Sequence, residues 1–290
     1  MADQQRQQAE ENYQRARRAV DTYLTKISED QLLNEPSMQP LRKDLLELAL
    51  AYYQEFIEEQ PDDPARQADL ADAYQRVGKI TRESGSRQDA QQAFQKALSI
   101  REQLVALHPA NPTYQQALAS SKRQLASRLK EIGETDQSQN LCHEATAILE
   151  QLVERHPNVA KYQSDLGQSY LHLGWLLHSL GRSDEGAALD AKAISTSEKL
   201  VQQNPTVAEY QSELASYFHD SAAHACTLGQ FNEGMPLFDK AISMQEAVVR
   251  QNPEVLAYQD DLASYHTNAS KAHQLLGQSE EALAHSQKAI

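Results

Sequence analysis

Only two cysteines occur in the 290 residues, Cys142 and Cys226, at different places in the pattern described below. A disulfide framework is therefore excluded, and a reducing compartment, the cytoplasm, is the expected location. No apolar run approaches the ~20 residues that cross a bilayer. The opening segment MADQQRQQAEENYQ has no apolar stretch like that of a signal peptide. Positive charge is in deficit: 27 Lys and Arg stand against 41 Asp and Glu, a net charge of −14. Nucleic acid, whose phosphates need a basic face, is not an expected partner, and the acidity favours solubility. Chemistry-bearing motifs are missing too. There is no P-loop, no GxSxG elbow and no CxxC, and nothing resembles a kinase glycine loop, HRD catalytic loop or DFG segment. An enzyme, a cofactor and a metal site are all unexpected. Aromatics make up 6% of the chain and glycine is sparse, a composition suited to helices that touch through small side chains.

The few breakers are placed rather than scattered. Pro61, Pro109, Pro157, Pro205 and Pro253 recur every 48 residues, and so do Gly85, Gly133, Gly181, Gly229 and Gly277. Leu70, Leu118, Leu166, Leu214 and Leu262 keep the same period, as do Ala97, Ala145, Ala193, Ala241 and Ala289. A fixed period of this size means a stack of like units, each too small to bury a core alone.

Inside a unit the apolar spacing is helical. Leu166, Tyr170, Leu173 and Leu177 return every three or four residues, as one face of a helix requires. Gly181 then ends that helix, because glycine accepts the left-handed cap conformation. Ser183, Thr135 and Ser279 are the expected caps of the helices that follow. The second helix of the third unit carries Leu189, Ala193, Ile194, Leu200 and Val201 and stops at Asn204-Pro205. Each unit reads as two antiparallel helices of about 20 residues, each about 30 Å long.

The residues within a unit resemble a known family. Tyr74, Val77, Gly78, Gly85, Ala90, Phe94, Ala97 and Leu98 in the first unit, and Tyr170, Leu173, Gly174, Gly181, Gly186, Ala193 and Ile194 in the third, resemble the tetratricopeptide repeat. The unit here is 14 residues longer than that family's 34, about two turns more on each helix. Lys122, Ala126, Ser138 and Cys142 in the second unit, and His266, Ser270 and Ser286 in the fifth, depart from the pattern and put close packing there in question. The resemblance implies an all-α fold, a right-handed helical solenoid. Its expected organisation is an N-terminal helical hairpin over residues 1–60 and five repeats over 61–290, at about 61–108, 109–156, 157–204, 205–252 and an incomplete 253–290. In the hairpin, Ala49-Leu50 stands 48 residues before Ala97-Leu98. The wording RAVDTYLTKISEDQLLNEPSMQPLRKDLLELALAYYQEF, with long repeats carrying YQ and NP, also resembles the repeat region that follows the kinase domain in many planctomycete-type bacterial serine/threonine kinases. The fifth repeat stops at Lys288-Ala289-Ile290, short of its siblings. That favours a piece of a longer protein, and it leaves Leu276, Leu283 and Ile290 as an apolar end suited to self-association.

In tetratricopeptide arrays the first helices line a concave, ligand-binding face. Carried over by offset, this implies Arg76, Lys79 and Arg82 in repeat one, Arg123 and Lys130 in repeat two, His172, Trp175 and His178 in repeat three, and His219 in repeat four. The expected partner is a protein or peptide, acidic where it meets the arginines, with Trp175 as anchor. The alternative is a solvated face in which Asp72, Glu83 and Glu131 balance the charges and Trp175 packs between repeats. The family's clamp for a terminal carboxylate is not expected, since only Lys79 fits among Gln75, Lys79, Gln124, Gln168 and His172. His219, Cys226 and the equivalent His178 do not make a metal site, because His219 and Cys226 are about 10 Å apart along one helix. Cys142 occupies a core aromatic position as a small hydrophobe, and Cys226 falls on the groove face, where a thiol would be accessible. Two functions remain open: a non-catalytic interaction scaffold in bacterial signalling, or the detached regulatory region of a serine/threonine kinase.

Overall fold

The computed structural model describes residues 63–83 and 87–289, with residues 38, 40, 41, 44, 48 and 51 before them. Apart from those six residues the expected hairpin over residues 1–60 lies outside the described residues, and so does Gly85. Among those described, the chain forms ten α-helices and no strand. They are α1 (Pro64–Glu83), α2 (Arg87–Leu107), α3 (Pro112–Glu131), α4 (Thr135–Arg155), α5 (Ala160–Ser179), α6 (Ser183–Gln203), α7 (Ala208–Thr227), α8 (Phe231–Gln251), α9 (Leu256–Leu275) and α10 (Ser279–Lys288). The all-α solenoid fold class read from the sequence is the one found. Two compact units divide the chain, residues 1–141 and 142–290.

The turns inside each hairpin follow from glycine. Gly133, Gly181, Gly229 and Gly277 have φ of 85°, 76°, 77° and 73°. At Gly181 the amide bonds to His178 O at 3.0 Å, and the next amide, of Arg182, bonds to Leu177 O at 3.0 Å. This pair of bonds closes the helix end by satisfying carbonyls that no longer have an intrahelical partner. A Cβ at Gly181 would meet nothing within 4 Å, so the backbone angle alone demands glycine there.

The expected serine and threonine caps are not formed. Ser183 and Ser279 are already the first residues of α6 and α10, and the residues before them, Arg182 and Gln278, make no side-chain cap bond. Thr135 likewise opens α4, and its hydroxyl donates to Gly133 O at 3.3 Å.

Between hairpins the chain uses a different device. Gln115, Gln163, Gln211 and Gln259 each donate Nε2 to the carbonyl of the proline six residues earlier, at 2.6, 2.5, 2.6 and 2.6 Å. This is the reason for the recurring Tyr-Gln. Asn204 and Asn252 donate Nδ2 to Leu200 O and Val248 O at 3.0 and 2.9 Å, completing α6 and α8 before their prolines. At the earlier repeats the corresponding residue is histidine. The His108 ring lies 5.8 Å from Tyr114, and that of His156 lies 5.9 Å from Tyr162.

Packing within each pair runs through small residues. Ala71, Ala90, Ala97, Ala119, Ala126, Ala145, Ala193, Ala215, Ala222 and Ala241 are all essentially inaccessible. In residues 142–290 one core cluster joins Leu214, Phe218 and Ala222 of α7, Phe238, Ala241 and Ile242 of α8, and Tyr265, Ala269 and Ala272 of α9. The pattern-breaking positions of repeats two and five pack through hydrogen bonds instead. Ser138 Oγ donates to Ala126 O at 2.7 Å, and Ser270 Oγ donates to Ala282 O at 2.7 Å.

Replacing Gly181 by alanine forces an L-residue into the left-handed region without adding any contact. The expected cost is about 1 kcal/mol, read as a lower midpoint in urea at unchanged slope. An unchanged midpoint would show that the turn does not require glycine.

Candidate functional site

Trp175 sits on the outward flank of α5 and is 45% exposed, the open position that an anchor needs. It does not fill the space between repeats. His172, one turn earlier, meets the indole edge-on with ring centroids 6.2 Å apart. With Ser179, Ser183, Thr227 and Leu228, the tryptophan borders a shallow cavity of about 240 Å³ whose floor is His178 and His224.

The other two histidines named from the sequence are not presented to a partner. His178 turns inward, its side chain 8% exposed, with Nε2 2.9 Å from Asp190 Oδ2. The physical reason is the neighbouring glycine: the place where a Cβ at Gly186 would stand lies 2.7 Å from the His178 ring. His219 is also committed internally. Its ring stacks on Tyr265 at 4.4 Å and lies 5.6 Å from Phe238. Asn268 Nδ2 donates to His219 Nε2 at 2.9 Å, so the Nδ1–H donates to Asp220 Oδ1, also at 2.9 Å. Both residues lock first helices to their surroundings.

The first helices of repeats three and four are further joined through one carboxylate. Glu213 Oε1 accepts from Ser164 Oγ at 3.1 Å, Gln168 Nε2 at 2.6 Å and Tyr217 OH at 2.9 Å.

In residues 63–141 the basic positions fare differently from one another. Lys79 and Arg82 are exposed, while Arg76, Arg123 and Lys130 are half-buried. Arg82 lies 3.9 Å from Glu131, which also pairs with the buried Arg128. The acidic Asp72 does not balance this group; it pairs with Arg101. Arg101, unnoticed in the sequence because it sits on a second helix, is the buried polar hub here. It contacts Asp72 and Gln75, and donates to Ser121 Oγ at 2.5 Å and Ala117 O at 3.2 Å. Burial lowers its pKa, opposed by the adjacent Asp72.

Both cysteines are buried. Cys142 is the small core residue expected. Cys226 is not the accessible groove thiol that the offset rule implied: it is 8% exposed, and burial pushes its thiol pKa up. The Cβ direction of Gly234 comes within 2.5 Å of its sulfur, so only glycine on α8 lets it fit.

The apolar end named from the sequence is open in part. Leu276 and Leu283 are 40% and 60% exposed and the neighbouring Leu275 is 73% exposed, while Ile290 lies outside the described residues. Beside them, buried His266 Nδ1 lies 2.9 Å from His285 Nδ1.

Residues 71–104 match the tetratricopeptide repeat model. Among solved structures the chain is similar to BtubC (BKLC) from P. vanneervenii, at 12% identity and a TM-score of 0.65, covering 87% of this chain and 89% of that one. It is also similar to the nearly identical TPR-like repeats of a Podosopora anserina kinesin light chain, at 17% identity and TM-score 0.51, over 77% and 93%. A third likeness is to a Rap protein solved in complex with competence and sporulation factor, at 13% identity and TM-score 0.50, over 87% and 71%. No curated protein matches the chain by sequence. These likenesses show the fold, a solenoid of tetratricopeptide-like helix pairs. Among the described residues, no helix is long and apolar enough to cross a membrane.

Two outcomes follow from these environments. A maleimide at neutral pH is expected to leave Cys142 and Cys226 unmodified until the chain is unfolded in urea, because burial denies access to both and also raises the Cys226 thiol pKa. Rapid labelling of folded protein would contradict that placement. Separately, burial lowers the pKa of His266 and of His285. At His266 the next cause is His285, then Lys288; at His285 it is His273, then Lys288. Glu246 and Asp239 oppose these shifts only in part. The folded values lie below the unfolded value of about 6.5, so the unfolded chain binds more protons as pH falls from 7 to 5. Stability at this end is expected to drop over that window, seen as faster amide exchange in α9 and α10; exchange independent of pH-corrected chemistry would refute it.

Proposed function

We propose that the chain is a non-catalytic interaction scaffold that binds a peptide or a partner protein against the first-helix face of its repeats. The observation that carries this reading is Trp175: the single tryptophan is exposed on α5. A large, rigid aromatic held in the open is the usual anchor of an interface. The basic residues of α1 and α3, Arg76, Lys79, Arg82, Arg123 and Lys130, favour an acidic partner segment, with arginine suited to paired bonds with carboxylates.

The Rap protein solved with competence and sporulation factor offers a precedent for ligand capture on a related fold. The setting we infer is bacterial signalling, supported by the likeness of the repeats to those carried by planctomycete-type serine/threonine kinases. In the second reading the chain is the regulatory region of such a kinase. Kinase motifs in the adjoining coding sequence would decide for that reading, and an unrelated neighbour would decide against it.

Affinity capture from lysate with the wild type and with a Trp175→Ala, Arg123→Ala variant tests the scaffold. A partner held by the first and lost by the second is expected. For that partner, Trp175→Ala alone is expected to weaken binding by ~2 kcal/mol or more, measured by titration. Equal retention by both proteins would move the site off this face.

A further inference from the structure

The repeat grid hides a substitution with chemical consequences. Phe94 and Phe238 occupy one core position in their repeats, and the same position in repeat three is Asp190. The aspartate is on α6, and its side chain is 6% exposed. His178 of α5 and His224 of α7 converge on it. His178 Nε2 is 2.9 Å from Asp190 Oδ2, and His224 Nδ1 is 3.7 Å from the same oxygen. The two imidazoles lie face to face with centroids 4.0 Å apart. One ligand atom from each of the three residues falls within 4.8 Å of the others.

We propose that His178, Asp190 and His224 bind one divalent transition-metal ion, of which Zn²⁺ is the representative. A tetrahedral ion with bonds of about 2.1 Å holds its ligand atoms about 3.4 Å apart, and the two measured separations from Asp190 bracket that value. Two imidazoles and a carboxylate are a donor set that zinc, nickel and copper all accept.

Charge balance points the same way. A buried carboxylate needs either a cation or several donors. Asp190 has one bond, to His178, while its Oδ1 and His224 Nδ1 are buried with no hydrogen-bond partner. One bridging ion supplies that cation and would tie the helix pair of repeat three to the first helix of repeat four.

A cavity of about 180 Å³ opens beside the trio, bordered by Ser221, whose buried hydroxyl also lacks a partner, and by Glu233 at the start of α8. Three protein ligands leave a fourth position facing this space, for water or the Glu233 carboxylate. Gly186 and Gly174 make the arrangement possible. Their Cβ directions come within 2.7 Å of the His178 ring and 2.6 Å of Asp190 Oδ1.

The test is metal binding by the untagged full chain after chelator treatment and desalting. Zn²⁺ alone is titrated calorimetrically, and Co²⁺ is followed by its visible absorption. The expected result is one ion per chain, an intense tetrahedral cobalt spectrum, and a melting temperature raised by Zn²⁺. His224→Gln and Asp190→Asn are expected to weaken binding at least tenfold. His143→Ala, which removes an exposed histidine elsewhere, leaves it unchanged. Circular dichroism of the metal-free variants separates a lost ligand from a lost fold, and either variant folding normally suffices. Absence of saturable binding to the wild type would overturn the proposal. So would a single site undiminished in a folded His224→Gln or Asp190→Asn protein, or one lost equally in His143→Ala.

Discussion

The close approach of the two helices in each pair is the contact on which the rest depends. A hairpin of 20- and 21-residue helices has too little apolar surface to stand alone, and it gains its core only where the helices touch nearly backbone to backbone. At Gly78 a Cβ would lie 2.7 Å from the Phe94 ring, and at Gly234 it would lie 2.9 Å from Ala222 O. In repeats two and five a serine hydroxyl bridges the same gap to a carbonyl. The glycine turns and the glutamine–proline bonds set the register that brings these small residues opposite one another.

Holding that contact fixed leaves the adjoining large position free to vary, and its occupant gives each repeat its character. Phe94 and Phe238 fill it with an aromatic ring, Cys142 with a thiol and Ser286 with a hydroxyl. Asp190 fills it with a charge. A ring there needs only apolar neighbours, whereas a carboxylate recruits polar ones, and repeat three accordingly draws in His178 from its own first helix and His224 from the next. Trp175 lies over that polar interior, outward and exposed.

The solenoid was legible because glycine, proline, alanine and leucine recur at positions where backbone geometry or close packing permits nothing else. The proposed binding face was legible only in part. Offsets identified Trp175 as outward, but they equally marked His178, His219 and Cys226, which point inward. Residues 48 apart occupy equivalent places on stacked helices and so point the same way rather than at each other. Contacts between neighbouring first helices join other separations: His178 meets His224, Ser164 and Gln168 meet Glu213, and His219 meets Asn268. Grid arithmetic therefore paired His178 with Cys226 and missed His224. Asp190 and Arg101 were passed over because a charged residue on a second helix normally faces water, and only packing reveals that these are buried.

Native-state hydrogen exchange along α5 to α8 tests the central claim most directly. If the small-residue contact anchors each pair, the slowest amides in these helices cluster around Gly174, Gly186, Ala222 and Gly234, with protection falling toward the glycine turns and the proline-bounded ends. Uniform protection along the helices, or slowest exchange at their ends, would show that the pairs are held by something other than that approach.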